Sequence, residues 1–196
     1  MLQDVVQEVP GQRVRIREQN VNRQESERQT FEDLFLAHYA RIVGVLRRML
    51  GDNGRAEDLA NEAFLKLYRR PFLENDNNLP AWLCRTAMNL GIDALRSSAR
   101  RTRYEDAATR ANVGDQVENG FDHTLRGERQ QRVRRVLAEL KPAQAQLLLL
   151  RASGHSYKEL ADCLGIEPGS VGTLLIRAEA AFEQRYLKLY GREEGL

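Results

Sequence analysis

The strongest constraint on the fold is a repeated helical spacing of apolar side chains. From Phe31 to Met49, large apolar residues recur every three or four positions, and the pattern stops at the breaker Gly51-Asp-Asn-Gly54. Such spacing places side chains on one face of an α-helix, whereas clustered Gly, Asp and Asn favour a turn. Aromatic residues make up only 7% of the chain, which suits helices better than a large β-structure. The chain is therefore predicted to be all-α.

The first half of the chain is predicted to form a small domain of three or four helices over residues 30–104. Thr30 is a plausible N-cap for the first helix, and a second helix stops before Pro71, because proline cannot continue a helix. The composition of residues 71–80 predicts a loop. A third helix is predicted from Ala81 to about Arg103.

Polar segments divide the rest of the chain. Residues 1–29 hold few large apolar side chains, so they are predicted to be a flexible tail, disordered or loosely helical. Residues 105–127 lose the apolar stripe and are predicted to be a flexible linker. A second helical domain is predicted over residues 128–190, followed by a short tail at 191–196. Lys141-Pro142 divides its first two helices, with the proline in the first turn of the second one.

The most informative local pattern of the second half lies between Ser156 and Arg177. Ser156 and Glu159 have the spacing of a capping box. Gly165 suits the left-handed residue of a turn, and Pro168 suits the first turn of a following helix. Two helices joined by a tight Gly-containing turn form a helix-turn-helix, whose second helix can enter a DNA major groove. An ordinary helical hairpin is the alternative.

The two cysteines, Cys84 and Cys163, are distant in sequence and flanked by apolar residues. Without a Cys-x-x-Cys or Cys/His cluster, neither a disulfide nor a metal site is expected, and both thiols are predicted to be buried in a reducing cytoplasm. The start of the chain lacks the pattern of a signal peptide, and the longest apolar run, Leu147 to Leu150, is too short to span a bilayer. A cytoplasmic protein without membrane insertion is expected.

A dense group of basic residues indicates contact with nucleic acid. Net charge is only +2, so the position of the charges matters more than their sum. Four arginines fall within eight residues at the end of the third predicted helix, with no acid among them, and a fifth lies upstream. They could line one side of a helix and bind phosphates, although a solvated surface would also fit. This arginine stripe comprises Arg85, Arg96, Arg100, Arg101 and Arg103.

Three polar groups are further candidates for binding. Helical spacing places Asp58, Asn61 and Glu62 opposite buried apolar residues, so their face is either solvated or a protein-docking surface. A run of polar residues before Trp82 could hydrogen-bond an unstacked base or simply form a turn. On the helix-turn-helix, the outward residues suit phosphate contacts better than base readout. The loop residues are Asn75, Asp76, Asn77 and Asn78, and the helix-turn-helix residues are Lys158, Ser170, Thr173 and Arg177.

No pattern in the sequence indicates catalysis. The three histidines, His38, His123 and His155, are scattered, and no nucleophile elbow or phosphate-binding glycine loop occurs. A metal nuclease that uses Asp58 and Glu62 is the enzymatic alternative, and little in the sequence supports it. The chain is therefore predicted to be a binding protein with no catalytic residues, no metal and no cofactor.

Taken together, these segments resemble an extracytoplasmic-function sigma factor of the sigma-70 family. Residues 56–70 resemble the polymerase-binding helix of that family, in which Asp58, Asn61 and Glu62 occupy an Asp-x-x-Gln-Glu pattern. Asn61 keeps the amide of the usual glutamine on a shorter side chain. The resemblance implies that these three residues bind the clamp of core RNA polymerase.

Residues 81–96 resemble the promoter-melting helix of the same family. Trp82, Asn89, Asp93 and Arg96 match its pattern in register. The resemblance implies that loop 71–80 captures a flipped base of the minus-ten element and that the arginines follow the duplex upstream. Because the protein would bind unpaired DNA preferentially, it would assist strand opening. The implied minus-ten residues are Asn75, Asp76, Asn77, Asn78, Trp82, Arg85, Asn89, Arg96, Arg100 and Arg101.

The second domain would then bind the minus-thirty-five element through Lys158, Ser170, Thr173 and Arg177. Here the chain departs from the family pattern, because Gly172 and Leu174 replace the usual lysine and first arginine. The implied partners are core RNA polymerase and promoter DNA, together with a potential anti-sigma factor. Two alternatives stay open: a sigma-like protein that binds an anti-sigma partner without reading promoters, and a plain helix-turn-helix repressor that leaves the first domain without a role.

Overall fold

The computed structural model describes residues 10–70, 78–111 and 125–191. Within these residues the chain forms seven α-helices and one short 3₁₀ helix, Pro168–Ser170, which confirms the all-α prediction. None of these helices combines the length and hydropathy that a membrane crossing requires. The α-helices are α1 Pro10–Leu50, α2 Asn53–Arg69, α3 Leu79–Ala111, α4 Leu125–Glu139, α5 Pro142–Ala152, α6 Tyr157–Leu164 and α7 Val171–Tyr190.

The predicted breaker between the first two helices forms a capped turn. Gly51 adopts a φ of 74° after the end of α1, a conformation that glycine adopts without steric cost. Asp52 then caps α2 by accepting a hydrogen bond from the Arg55 backbone N–H at 3.1 Å. The turn reverses the chain, so α2 packs back against α1 and buries Phe64 and Leu67.

The first three helices enclose a core of their own. Leu46, Leu67 and Leu83 are completely buried in it. An aromatic group packs at one end, where the Phe35 ring lies 4.9 Å from the Phe64 ring in an edge-on arrangement, a geometry favoured by the ring quadrupoles. This core fixes the outer face of α2 and the start of α3.

The second half forms the predicted helix-turn-helix from α6 and α7. Ser156 and Glu159 make the reciprocal capping box, with the Ser156 backbone N–H donating to Glu159 Oε2 at 2.7 Å. Gly165 has a φ of 66°, and a Cβ added there would clash with the Arg85 guanidinium. The left-handed turn therefore favours glycine, whereas the flexible Arg85 side chain could move aside. Pro168 opens the 3₁₀ turn that leads into α7.

Two helices extend beyond their predicted bounds. Thr30 lies inside α1, which begins at Pro10, so the predicted N-cap is wrong. Gln, Glu and Arg dominate the sequence before it, and these residues favour helix without needing an apolar stripe. Similarly, α3 runs past Arg103 to Ala111. Helix propensity accounts for both extensions. The spacing of apolar residues could not indicate them, because these segments lack an apolar stripe.

The two halves pack against each other through one continuous apolar core. Met49, Met88 and Ile92 of the first half join Leu150 and Leu160 of the second half in a single buried cluster. This shared core is larger than the core enclosed by α1, α2 and α3. The two-domain prediction did not include such packing, because contacts across a linker have no signature in local spacing.

Truncation of the first core should be costly. Leu46→Ala removes a completely buried side chain, so we expect the free energy of unfolding to fall by about 2–5 kcal/mol. Leu36→Ala on the same helix removes a side chain that is 82% exposed and should change it by less than about 0.5 kcal/mol. Urea denaturation followed by circular dichroism measures both, and equal losses would contradict the assigned core.

Candidate functional site

The outer face of α2 presents polar side chains to solvent. Asp58, Asn61 and Glu62 are all exposed, opposite the buried Phe64. Lys66 pairs with Glu62 at 3.2 Å, whereas Asp58 has no ion pair or side-chain hydrogen bond with any described residue. The face offers carboxylate and amide groups on a rigid helix, which suits docking to a basic protein surface.

The arginine stripe of α3 divides into two groups. Arg100 and Arg101 are exposed and make no ion pair with the part of the chain that the structure describes. Arg103 instead forms an ion pair with Glu139 of α4, and the same carboxylate also pairs with Arg185 of α7. Two of the five arginines are therefore available for an outside anion, whereas Arg103 links α3 to the second half.

The rest of the stripe also contacts the second half. Arg85 donates to the Cys163 carbonyl at 3.0 Å, and Arg96 donates to the Leu140 carbonyl at 2.8 Å. Between them, the Asn89 side-chain oxygen accepts from Gln146 at 2.9 Å. Three of the residues predicted to bind promoter DNA thus contact the second half in this conformation.

Only part of the predicted base-binding loop falls within the described residues. Asn78 lies before α3, and its side-chain oxygen accepts from the Ala81 backbone N–H at 3.2 Å. Trp82 is half-buried, with the Arg70 guanidinium 5.0 Å from its ring centroid, a cation–π distance. Asn78 therefore shapes the start of α3. The predictions for Asn75, Asp76 and Asn77 lie outside the described residues.

The helix-turn-helix presents its four candidate residues on the surface. Lys158, Ser170, Thr173 and Arg177 are all exposed. Leu174, where the family pattern has arginine, is half-buried and packs against the shared core. At this position the chain therefore has an apolar side chain packed on the core in place of the basic side chain of the family pattern.

One ion pair between the halves perturbs a carboxyl group. Arg41 of α1 donates to Glu159 of α6 at 2.5 Å. The Arg41 guanidinium, followed by the Ser156 backbone N–H, lowers the pKa of Glu159 to about 2. Sequence reasoning identified Glu159 only as a capping residue, because a partner 118 positions away leaves no local signal.

The prediction that the cysteines form no disulfide is wrong. Cys84 of α3 and Cys163 of α6 are joined by a disulfide with a Cα–Cα distance of 5.6 Å, within the usual range. They lie 79 positions apart in sequence, so only the packing of α6 on α3 brings them together. Cys163 is 2% exposed, whereas Cys84 is half-buried.

A small cavity of about 130 Å³ adjoins the disulfide. Both cysteines line it, together with His38, Arg41 and His155. Burial, and then Arg41, lower the pKa of each histidine. Within the described residues, no group of three His, Cys, Asp or Glu side chains is close enough to hold a metal ion.

Two family models match the chain, one in each half. Residues 34–101 match the model of Sigma-70 region 2, and residues 130–182 match the model of Sigma-70, region 4. The chain belongs to the sigma-70 family of RNA polymerase sigma factors. Relatives described as ECF sigma factors place it in the extracytoplasmic-function class. Members of this family are transcription regulators rather than enzymes.

Among the similar proteins is the RNA polymerase sigma factor CarQ of Myxococcus xanthus, 32% identical over 79% of this chain and 86% of the relative. The probable ECF RNA polymerase sigma factor SigI of Mycobacterium tuberculosis is 32% identical over 72% of this chain and 50% of the relative. A solved complex of the sigma factor RpoE with the anti-sigma factor NepR from Bartonella quintana aligns with a TM-score of 0.47 and 21% identity, covering 83% of this chain and 99% of the solved one.

The ion pair between the halves yields a pKa prediction. Arg41→Met removes the main cause of the low Glu159 pKa, so that pKa should rise toward its ordinary value while the Ser156 N–H keeps it somewhat lower. Because the pKa is lowered in the folded protein, the pair stabilises above about pH 4.5 and this contribution is lost as the pH falls toward 2. Carboxyl-carbon NMR titration of Glu159 measures the change. Arg28→Met, which removes a pair with Glu32 on α1, is the control. An unchanged pKa in the Arg41 variant would contradict the assignment.

Proposed function

We propose that this sigma factor docks on core RNA polymerase through the outer face of α2 and engages promoter DNA through α3 and α7. The docking proposal rests on the exposure of Asp58, Asn61 and Glu62 along one face of α2. These residues occupy the family's polymerase-binding pattern within the region 2 match. Their rigid helix and uncovered carboxylates support direct contact with a basic surface.

For the minus-ten element, we propose a contact surface along α3. Arg100 and Arg101 are accessible to phosphates. Arg85 and Asn89 are exposed and Arg96 is half-buried, and their hydrogen-bonding groups are occupied by the second half until it separates from α3. Phosphate oxygens would replace the carbonyls that accept from Arg85 and Arg96, and a base would replace the Gln146 amide that donates to Asn89. Trp82 and the predicted loop before it would hold an unstacked base.

For the minus-thirty-five element, the proposal relies on the exposed side of the helix-turn-helix. Lys158, Ser170, Thr173 and Arg177 would contact mainly phosphates. A helix with so few base-reading side chains should bind weakly alone and act by anchoring a polymerase that is already bound. The protein would work in the cytoplasm with RNA polymerase, contributing binding energy rather than a catalytic group.

The alternative is a sigma-like protein that binds an anti-sigma partner without reading promoters. Gly172 and Leu174 at the family's basic positions favour it. Conversely, Asn89 and Arg96 keep the promoter-melting pattern in register, which such a protein would not require. Transcription with purified core polymerase separates the two, because the alternative gives no promoter-specific transcript.

Removal of the two α2 carboxylates tests polymerase docking. Asp58→Ala with Glu62→Ala should weaken binding to core polymerase at least about tenfold, each lost charge-assisted contact contributing on the order of 1–3 kcal/mol. Fluorescence anisotropy measures the affinity, and circular dichroism checks that helicity is unchanged. Glu32→Ala with Asp33→Ala removes two exposed acids from α1 and should have little effect. Wild-type affinity in the α2 variant would refute the docking surface.

Salt dependence tests the phosphate contacts. Arg100→Ala with Arg101→Ala should weaken binding of the reduced chain to duplex promoter DNA. It should also make the slope of log K against log salt shallower by about 2, because two phosphate contacts are lost. Arg28→Ala with Arg47→Ala removes two exposed arginines from α1 and should leave the slope unchanged. Equal slopes in the wild type and the α3 variant would show that these arginines do not bind phosphates.

A further inference from the structure

We propose that the Cys84–Cys163 disulfide is a redox lock that keeps Arg85, Asn89 and Arg96 of α3 hydrogen-bonded to the second half of the chain. The lock rests on the proposed function, because it matters only if α3 binds promoter DNA. Neither the family models nor the names of the relatives assign a role to these cysteines.

The position of the bond supports this role. It joins α3 to α6 and therefore bridges the two halves directly. Arg85, next to Cys84 in sequence, donates to the Cys163 carbonyl on the other side of the bond. Asn89 and Arg96 follow on the same helix and contact Gln146 and Leu140 of the second half. Three residues of the proposed minus-ten surface are thus engaged beside one covalent cross-link.

The other contacts between the halves are reversible. Besides the hydrogen bonds of Arg85, Asn89 and Arg96, they include the shared apolar core, the Arg41–Glu159 and Arg103–Glu139 ion pairs and a hydrogen bond from Arg48 to the Ala152 carbonyl at 2.6 Å. These contacts are non-covalent and can break without a chemical reaction, although a large apolar interface opens less often than a polar one. A disulfide prevents separation until it is reduced. The bond therefore determines whether the closed form can open so that α3 binds DNA.

The chemistry balances with a dithiol reductant and a peroxide oxidant. A donor thiolate attacks Cys84, the more exposed sulfur, and Cys163 leaves as a thiolate; the donor's second thiol then releases Cys84. Two electrons pass to the protein, and two protons end on its thiols, while the donor becomes a disulfide. In reverse, a peroxide oxidises one thiolate to a sulfenic acid, and the second thiol displaces water to restore the bond. The adjoining cavity provides an approach to the sulfurs.

The expected compartment favours a regulatory bond over a permanent one. A protein that works with RNA polymerase is exposed to the thiol reductants of the cytoplasm, where disulfides are usually transient and redox-sensing. Both cysteines of the chain take part in this bond. The fully reduced protein therefore gains two thiols, which gives the switch a simple chemical readout.

The experiment compares three preparations of the full chain. Wild type is oxidised with hydrogen peroxide or reduced with dithiothreitol, each reagent is then removed, and maleimide mass shifts count the thiols. Cys84→Ser is the third preparation; it changes the half-buried cysteine and leaves the buried Cys163 in place. Reduced wild type retains both side chains without the bond, so it separates the effect of the bond from that of the substitution.

Two readouts are taken from each preparation. Hydrogen exchange of the α6 amides reports opening of the closed form, and transcription with core polymerase on the host's promoters reports activity. Oxidised wild type should exchange at least about tenfold more slowly at α6 and give at least about tenfold less transcript than the reduced form. Cys84→Ser should match the reduced form after either treatment.

The outcomes separate the lock from the proposed function. Any of three results would overturn the lock. They are equal hydrogen exchange at α6 in oxidised and reduced protein, equal transcription by active oxidised and reduced protein, and two thiols that remain after peroxide treatment. If reduced wild type and Cys84→Ser give no promoter-specific transcript, the proposed function fails. In that case the exchange difference alone decides whether the bond restrains the closed form.

Discussion

The structure depends on the burial of α3 between the pair α1 and α2 on one side and the second half of the chain on the other. One part of this helix, including Leu83 and Ala87, completes the core formed with α1 and α2. Another part, including Met88 and Ile92, lies in the core shared with the second half. A helix buried in two cores has few orientations open to it. The position of α3 therefore determines where the second half lies and which polar residues are covered.

The polar residues of α3 have to be satisfied in this closed form, and main-chain carbonyls of the second half serve that purpose. Arg85 and Arg96 each donate to such a carbonyl. When the halves separate, the same guanidinium groups can donate to phosphate oxygens, with which arginine forms strong charge-assisted hydrogen bonds. The same guanidinium groups can thus bind carbonyl oxygens in the closed form and phosphate oxygens in the open form, because both are hydrogen-bond acceptors.

Local signals were sufficient for the helices, the breakers and the helix-turn-helix. Asp52, Ser156 and Gly165 act through neighbours within a few residues, so spacing alone identified the turns. The hydrogen bonds of Asn89 and Arg96 reach partners 57 and 44 positions away, and the disulfide joins residues 79 positions apart. Such contacts depend on packing rather than on local propensity. The sequence therefore predicted the candidate surface on α3 but not the contacts that this surface makes with the second half.

Asn89 and Arg96 contact the second half in the closed form, and under the proposed function they bind promoter DNA in the open form. The most direct measurement is promoter-specific transcription by reduced Asn89→Ala and Arg96→Ala variants with purified core polymerase on the host's promoters. The account predicts that both variants bind core polymerase as wild type does but give few or no promoter-specific transcripts. If either variant transcribed as well as wild type, the substituted residue would have no role at the promoter. Its only assigned role would then be its contact with the second half.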